Sequence, residues 1–133
     1  MPLSWNEIKT RALAFSKEWE GETSEDAEAK SFWDDFFNVF GVPRRKVAVF
    51  EKQVEKLGDK AGYVDLFWPG MLIVEHKSRG KNLEKAFLQA LDYTHGLKDK
   101  EFPQYIIVSD FARFKLYDLE KNEQHEKKAP EGP

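Results

Sequence analysis

Two strand-like runs joined by a tight turn stand near the middle of the sequence, in the segment Gly62-Tyr63-Val64-Asp65-Leu66-Phe67-Trp68-Pro69-Gly70-Met71-Leu72-Ile73-Val74-Glu75-His76-Lys77-Ser78. Residues 63–68 and 71–77 are rich in β-branched, aromatic and other apolar side chains, which favour extended backbone. Pro69-Gly70 is a turn signal, because proline presets one backbone angle and glycine accepts a positive one. The segment therefore predicts a β-hairpin.

Three charged side chains are expected to meet on this hairpin. Alternate side chains of a strand share a face, so Glu75 and Lys77 point the same way. A three-residue loop at 68–70 sets Asp65 one diagonal step from Glu75 on that face. A two-residue loop at 69–70 turns Asp65 to the other face and separates the group. The convergence therefore depends on the register of the hairpin.

Two carboxylates and an ammonium in this arrangement suit the hydrolysis of a phosphodiester. Neighbouring carboxylates repel each other and favour a hard divalent cation such as Mg²⁺, which lowers the pKa of a bound water. The Lys77 ammonium can orient that water and offset charge on the phosphate. The alternative is that Glu75 and Lys77 form an ordinary surface pair, which stabilises little. Glu-x-Lys occurs four times in the chain, but only this copy follows an Asp-bearing strand through a tight turn.

The periodicity of the remaining sequence predicts helices and further strands around the hairpin. Helices are expected at 4–20 with Ser4 as the cap, from a cap at Thr23 or Ser24 to about residue 40, and after a cap at Asn82. Strands are expected at 46–51, 104–109 and 113–119. The order ααβββαββ is typical of an α/β fold with a helix-flanked mixed sheet. One domain is therefore expected over residues 1–119. Only Ala129 is apolar between 120 and 133, which predicts a polar linker or disordered tail there.

Composition excludes several classes of protein. With 133 residues and 41% hydrophobic side chains, the chain can bury one core. It has no cysteine and three scattered histidines, so disulfide scaffolds and cysteine-based metal sites are excluded, a histidine-only site is disfavoured, and a metal site is expected to use oxygen ligands. No apolar run is long enough for a membrane span and the N-terminus lacks signal-peptide order, so a soluble cytoplasmic protein is expected. Residues 43–100 carry 12 Lys/Arg against 8 Asp/Glu, a balance that suits a phosphate-facing surface.

Several segments resemble a known nuclease family. The hairpin resembles the active-site hairpin of PD-(D/E)xK nucleases. Three further segments are similar to the N-terminal endonuclease domain of MmeI-like (type IIG/IIL) bifunctional restriction-modification DNA methyltransferases: Arg11-Ala12-Leu13-Ala14-Phe15, Gln89-Ala90-Leu91-Asp92-Tyr93 and Ser109-Asp110-Phe111-Ala112-Arg113-Phe114. The resemblance covers about residues 4–119 and implies a restriction-endonuclease-like αβββαβ core with an extra N-terminal helix.

The resemblance also assigns roles to residues of this chain. Asp65 and Glu75 match the metal-binding acids, for Mg²⁺ with Mn²⁺ as a substitute, and Lys77 matches the catalytic lysine. Gln89 and Tyr93 match a Gln-x-x-x-Tyr pattern beside the catalytic site of RecB-like members. Since they are four residues apart on a helix, they share a face and can touch a phosphate or the lysine.

A third carboxylate is also implied. Such folds often supply one from the helix before the hairpin, and Glu28 is the residue we expect to provide it as a further metal ligand. In the motif PD-(D/E)xK a proline precedes the first acid, whereas Val64 precedes Asp65 in this chain. This departure is common and puts the assignment of Asp65 little in doubt.

The function implied is a metal-dependent DNA endonuclease that forms the N-terminal cleavage module of a restriction-modification DNA methyltransferase. Its partners would be double-stranded DNA and C-terminal methyltransferase and target-recognition domains, whose motifs this sequence lacks. Since many such nucleases pair two sites to cut two strands, a transient homodimer on DNA is also implied. The alternatives are a catalytically inactive nuclease-like module for DNA binding or docking, and a purely structural interaction domain.

Overall fold

The protein is built on one mixed β-sheet, seen in a computed structural model that describes residues 3–55, 61–121 and 123–128. In these residues the sheet has six strands in chain order, with only the central pair, β3 and β4, running parallel. The strands are β1 (Val49–Glu55), β2 (Ala61–Trp68), β3 (Leu72–His76), β4 (Tyr105–Ser109), β5 (Arg113–Asp118) and β6 (Glu123–Lys128).

Helices cover the two faces of the sheet. They are α1 (Trp5–Glu18), α2 (Glu25–Val39), the short α3 (Arg44–Val47) and α4 (Leu83–Thr94), with a 3₁₀ turn at Asp99–Glu101. Ser4 and Asn82 accept hydrogen bonds from the first turns of α1 and α4 as the sequence predicts. No helix in the described ranges has both the length and the apolar character needed to cross a membrane.

Two apolar clusters fix the helices against the sheet. The α4 cluster joins Ala86 and Ala90 to Ile73, Ile106 and Val108 of the central strands. The α2 cluster is largely aromatic and joins residues such as Phe32, Trp33 and Phe37 to Leu66 and Val74. Because successive residues of a strand face opposite sides, β3 supplies Ile73 to one cluster and Val74 to the other. The predicted α/β fold, with an αβββαβ core and an extra N-terminal helix, is confirmed.

The strand expected at 46–51 begins later than predicted. Arg44–Val47 form a helical turn after Pro43, and β1 starts only at Val49. The Arg44 side chain donates hydrogen bonds to Asp34 and to the Ala48 carbonyl. These contacts stabilise the turn in a stretch where β-branched residues favour a strand.

The prediction of a linker or disordered tail over 120–133 is wrong for Glu123–Lys128. These residues form β6, which pairs antiparallel with β5 in a register that sets Arg113 opposite Lys128. An edge strand needs backbone partners on one side only and tolerates charged side chains, so the absence of apolar residues does not exclude one. Residues 122 and 129–133 of the expected tail lie outside the described residues.

Candidate active site

The hairpin register brings Asp65 and Glu75 together. Phe67 pairs with Ile73 and Trp68 with Leu72, so the loop has three residues, the alternative that brings the acids together, but it spans 69–71 rather than 68–70. Continued towards the open end of the hairpin, this register sets Asp65 directly opposite Glu75 instead of one diagonal step away. The predicted sharing of a face is confirmed, because a shift of the loop by one residue without a change in length keeps both side chains on it.

Two hydrogen bonds join the acids to the opposite strand. The backbone N–H of Asp65 donates to Glu75 Oε1 at 3.3 Å. In return, the backbone N–H of His76 donates to Asp65 Oδ2 at 2.8 Å. Each carboxyl group is thus held by the backbone of the other strand, and both positions are fixed by the hairpin itself.

Burial makes the acid pair unfavourable as two anions. Glu75 is 1% exposed, and this burial, with the Asp65 charge adding to it, raises the pKa of Glu75 to about 9. Burial also raises the pKa of Asp65, although the His76 hydrogen bond and the Lys77 charge act the other way. Near neutral pH the acid pair therefore retains a proton. A divalent cation can take the place of this proton, because it offsets the negative charge of the two carboxylates.

The side chain of Lys77 is held by α4. Its Nζ donates to Gln89 Oε1 at 2.9 Å, and Gln89 Nε2 donates to the Tyr93 hydroxyl at 2.7 Å. Tyr93 is buried, and burial raises the pKa of its phenol, so it remains protonated near neutral pH. The predicted shared helix face and the contact with the lysine are both present. Together they orient the ammonium beside the acid pair.

Glu25, rather than Glu28, is the helix carboxylate that the structure brings to the acid pair. Glu25 opens the first turn of α2 and lines the same cleft as Asp65, whereas Glu28 is not among the residues lining it. Burial raises the pKa of Glu25, the Asp65 charge raises it further, and the Lys77 charge lowers it. Glu25 therefore takes the place expected for Glu28. Nine acids precede residue 43, and the sequence alone does not show which of them the fold turns towards the acid pair.

The cleft beside Asp65 lies between α2 and β1 and has a volume of about 250 Å³. Its lining is mainly acidic and aromatic, and comprises Glu25, Asp26, Lys30, Trp33, Phe50, Glu51, Asp65 and His76, with Ala27 and Ala29. Lys30 Nζ lies 3.5 Å from Glu51 Oε2. The Glu51 charge raises the pKa of Asp65 in addition to its burial. The cleft is therefore a negatively charged approach to the acid pair.

Glu51 is a site residue that the sequence does not reveal. Its φ angle is +55°, in the left-handed region that few residues other than glycine adopt. The β1–β2 pairs on either side of it continue in one register, so the distortion interrupts the ladder opposite Asp65 without shifting it. Backbone strain of this kind clusters at functional sites.

His76 holds β3 against α2 on the face opposite Lys77. Trp33 Nε1 donates to His76 Nδ1 at 2.9 Å, and the imidazole is 1% exposed. Burial lowers the pKa of His76 to about 4, so the ring is neutral near pH 7. Since an indole N–H can only donate, the neutral ring carries its proton on Nε2, which has no hydrogen-bond partner among the described residues.

The oxygen donors of Asp65 and Glu75 fit a hard divalent cation. No group of three acidic or histidine side chains within residues 3–55, 61–121 and 123–128 is arranged to hold a metal ion by itself. Mg²⁺ does not require such a cage, because it commonly binds one or two carboxylates and keeps waters or substrate phosphates as its other ligands. A cation bound by this buried pair would stabilise both carboxyl groups in their ionised form.

Comparison with known proteins finds a protein of similar fold and the family of this chain. A cryo-EM structure of a DrdV–DNA complex superposes with a TM-score of 0.56 at 13% sequence identity, over 92% of this chain and 12% of that one. The likeness shows a shared fold, and this chain spans only a small part of the length of that protein. No curated protein matches the sequence. The family model described as "MmeI, N-terminal domain" matches residues 10–130, and the chain therefore belongs to the MmeI N-terminal domain family.

Proposed function

We propose that this domain is a Mg²⁺-dependent DNA endonuclease, the N-terminal cleavage module of a restriction-modification DNA methyltransferase. The observation that carries the proposal is the convergence of Asp65, Glu75 and Lys77, with the lysine oriented by Gln89. Membership of the MmeI N-terminal domain family supports it. The protein of similar fold was solved in complex with DNA, which supports DNA as the substrate.

Each residue of the site has a distinct task in this proposal. Asp65 and Glu75 hold the cation, with Mn²⁺ as a substitute for Mg²⁺, and Glu25 adds a carboxylate from α2. A cation bound there supplies Lewis acidity towards the phosphate and a water of lowered pKa. The Lys77 ammonium donates hydrogen bonds to the attacking water or to a phosphate oxygen and offsets the charge that develops there.

The Gln89–Tyr93 pair keeps that ammonium aimed at the reacting atoms. The Gln89 carbonyl oxygen accepts from Lys77, while its amide group is turned towards the Tyr93 hydroxyl. An ammonium on a four-carbon stem has many rotamers, so fixing one of them removes entropy before the reaction begins.

The partners follow from the same proposal. The substrate is double-stranded DNA, and sequence reading and methylation belong to methyltransferase and target-recognition domains outside this sequence. Cutting both strands requires two sites, which a transient homodimer on DNA would provide. The protein would act in the cytoplasm, where DNA and Mg²⁺ are available.

Calorimetric titration with Mn²⁺ tests the metal site. We expect the wild-type domain to bind Mn²⁺ and Asp65→Asn and Glu75→Gln each to weaken binding at least about 10-fold, because each removes an anionic ligand without changing side-chain volume. Glu84→Gln, an exposed position in the first turn of α4, is the matched control and should bind as the wild type does. Failure of the wild type to bind Mn²⁺ even with DNA present would overturn the proposal in favour of an inactive DNA-binding module.

Lys77→Met separates catalysis from metal binding. The variant should retain Mn²⁺ affinity, yet lower DNA cleavage by about 100-fold or more in the intact enzyme, because it removes a charge that acts in the transition state. Cleavage at the wild-type rate by this variant would contradict the role of the lysine.

A further inference from the structure

The turn between β4 and β5 carries a polar motif that the proposed function leaves without a role. It consists of Ser109, Asp110, Phe111, Ala112 and Arg113. Asp110 is 1% exposed, and a carboxylate so deeply buried requires hydrogen-bond donors. Its donors come from two segments of the chain.

Asp110 divides its oxygens between its own turn and the segment after β3. Oδ1 accepts from the backbone N–H groups of Ala112 at 3.2 Å and Arg113 at 2.8 Å. Oδ2 accepts from the Gly80 N–H at 2.9 Å and from the Arg113 guanidinium at 3.2 and 3.0 Å. Burial alone would raise the pKa of Asp110, but the donors from Gly80 and Arg113 outweigh it and lower that pKa. Asp110 is therefore a charged link between the two segments.

Two further hydrogen bonds strengthen this link. Arg113 Nη2 donates to the Lys81 carbonyl at 2.8 Å. The Lys77 N–H donates to the Ser109 carbonyl at 2.8 Å. The segment 77–81, which begins at the lysine of the proposed site, is thus attached to the β4–β5 turn at both of its ends and at Gly80.

The same segment contacts the start of α2 on its other side. Arg79 Nε donates to the Glu22 carbonyl at 3.1 Å, and Ser78 Oγ lies 3.5 Å from Glu25 Oε2. The side chain of Ser24, the residue before α2, makes no cap, so these two contacts join the segment to the start of the helix without competition from a capping side chain. The segment 77–81 therefore stands between Asp110 and the carboxylate of Glu25.

We infer that Asp110 is a positioning residue for the nuclease site, which clamps residues 78–81 and through them holds Glu25 beside Asp65. The consequence for metal binding rests on the proposed function, whereas the clamp itself does not. Asp110 acts through the intervening segment and touches neither substrate nor cation. Its loss should release the first turn of α2 from the acid pair.

Asp110→Asn tests the clamp with little change in volume. The asparagine keeps one oxygen for its own turn but loses the second acceptor, on which Gly80 and the Arg113 side chain depend. Asp118→Asn is the matched control: Asp118 Oδ1 closes a similar turn at the far end of β5, accepting from the N–H groups of Glu120 at 3.1 Å and Lys121 at 3.0 Å.

Amide hydrogen exchange is the first readout, because it requires no activity. Asp110→Asn should accelerate exchange about 10-fold in residues 22–28 and 77–82 relative to the wild type, while Asp118→Asn leaves both segments unchanged. Faster exchange confined to residues 109–114 would overturn the inference, since it would show that Asp110 serves only its own turn.

A double-mutant cycle in Mn²⁺ affinity is the second readout. Asp110→Asn should weaken Mn²⁺ binding about 10-fold in the wild type and change it little in a Glu25→Gln background, because both substitutions remove the same carboxylate contribution. If the fold-changes in Mn²⁺ affinity of the two substitutions multiply in the double variant, Asp110 and Glu25 act independently and the inference is overturned. If the wild type binds no Mn²⁺ with DNA present, the proposed function fails, and hydrogen exchange still decides the clamp.

Arg113→Lys provides a milder variant if Asp110→Asn does not fold. It keeps the positive charge but cannot reach Asp110 and the Lys81 carbonyl with one planar group. Exchange should rise in the same two segments, by a smaller factor than in Asp110→Asn. Wild-type exchange there would contradict the clamp.

Discussion

Glu75 is held where the folded protein disfavours an anion. Its pKa rises from an ordinary value of 4.5 to about 9, so between these values the folded state binds a proton that the unfolded state has released. The free energy of unfolding must then fall as the pH rises through that interval. The contribution of Glu75 protonation to this free energy is complete only below the lower pKa. The site is thus strained electrostatically in the absence of a cation.

Glu75→Gln should therefore stabilise the metal-free protein at neutral and alkaline pH. The amide has nearly the same shape and carries no charge, so the variant should gain roughly 4 kcal/mol over the wild type between about pH 5 and about pH 8. Urea unfolding at the two pH values measures this difference, with Glu84→Gln as the exposed control. Equal pH dependence in the variant and the wild type would contradict the raised pKa.

The residues of the site differ in how far the sequence predicts them. Strand alternation places Glu75 and Lys77 on one face, because it is a local property, but whether Asp65 joins them depends on the hairpin register, which the turn signal alone leaves open. The position of Glu25 at the site depends on where α2 begins and on how the helix is rotated about its axis. Tertiary packing decides both. Glu51 depends on a positive φ angle at a glutamate, and no residue preference predicts one there.

At the scale of secondary structure, β6 shows which elements depend on sheet pairing rather than on composition. The residues of β6 are polar, yet its backbone pairs with β5 along six residues. The predicted caps at Ser4 and Asn82 and the turn at Gly70 are confirmed, since each is a local preference of the residue itself, whereas Ser24 precedes α2 without making the hydrogen bond of a cap. A polar edge strand has no such local signal and is predicted only when its partner strand is known.

A chain that ends at Leu119 should be less stable than one that ends at Lys128. Removing β6 exposes those N–H and C=O groups of β5 that point towards it, while the others remain paired with β4. We expect a loss of about 1–2 kcal/mol and a melting temperature lower by several degrees, measured by circular dichroism. The chain ending at Lys128 is the control for loss of the last five residues, and equal melting of the two would show that β6 adds nothing to stability.

At the scale of the whole molecule, the site is assembled from three parts of the fold. The β2–β3 hairpin supplies the acid pair and the lysine, α4 supplies Gln89 and Tyr93, and α2 supplies Glu25. The two helices belong to different apolar clusters on opposite faces of the sheet. A cation bound at the site should therefore stabilise the folded domain as a whole.

Mn²⁺ should raise the melting temperature of the wild-type domain. A ligand present at about 100 times its dissociation constant stabilises the folded state by about 2.7 kcal/mol. The rise should increase with pH, because the cation displaces a proton from the acid pair, and it should vanish in Asp65→Asn. Calorimetric scans at several Mn²⁺ concentrations measure it, and an equal rise in Asp65→Asn would place the cation elsewhere.

The six strands stand side by side in the order in which the chain is made. A growing polypeptide can therefore add each strand to an open edge without separating an earlier pair. Only the parallel step from β3 to β4 must wait, since it requires the crossover that contains α4. Vectorial assembly of this kind would bring Asp65 and Glu75 together before the helix that holds Lys77 has packed against the sheet.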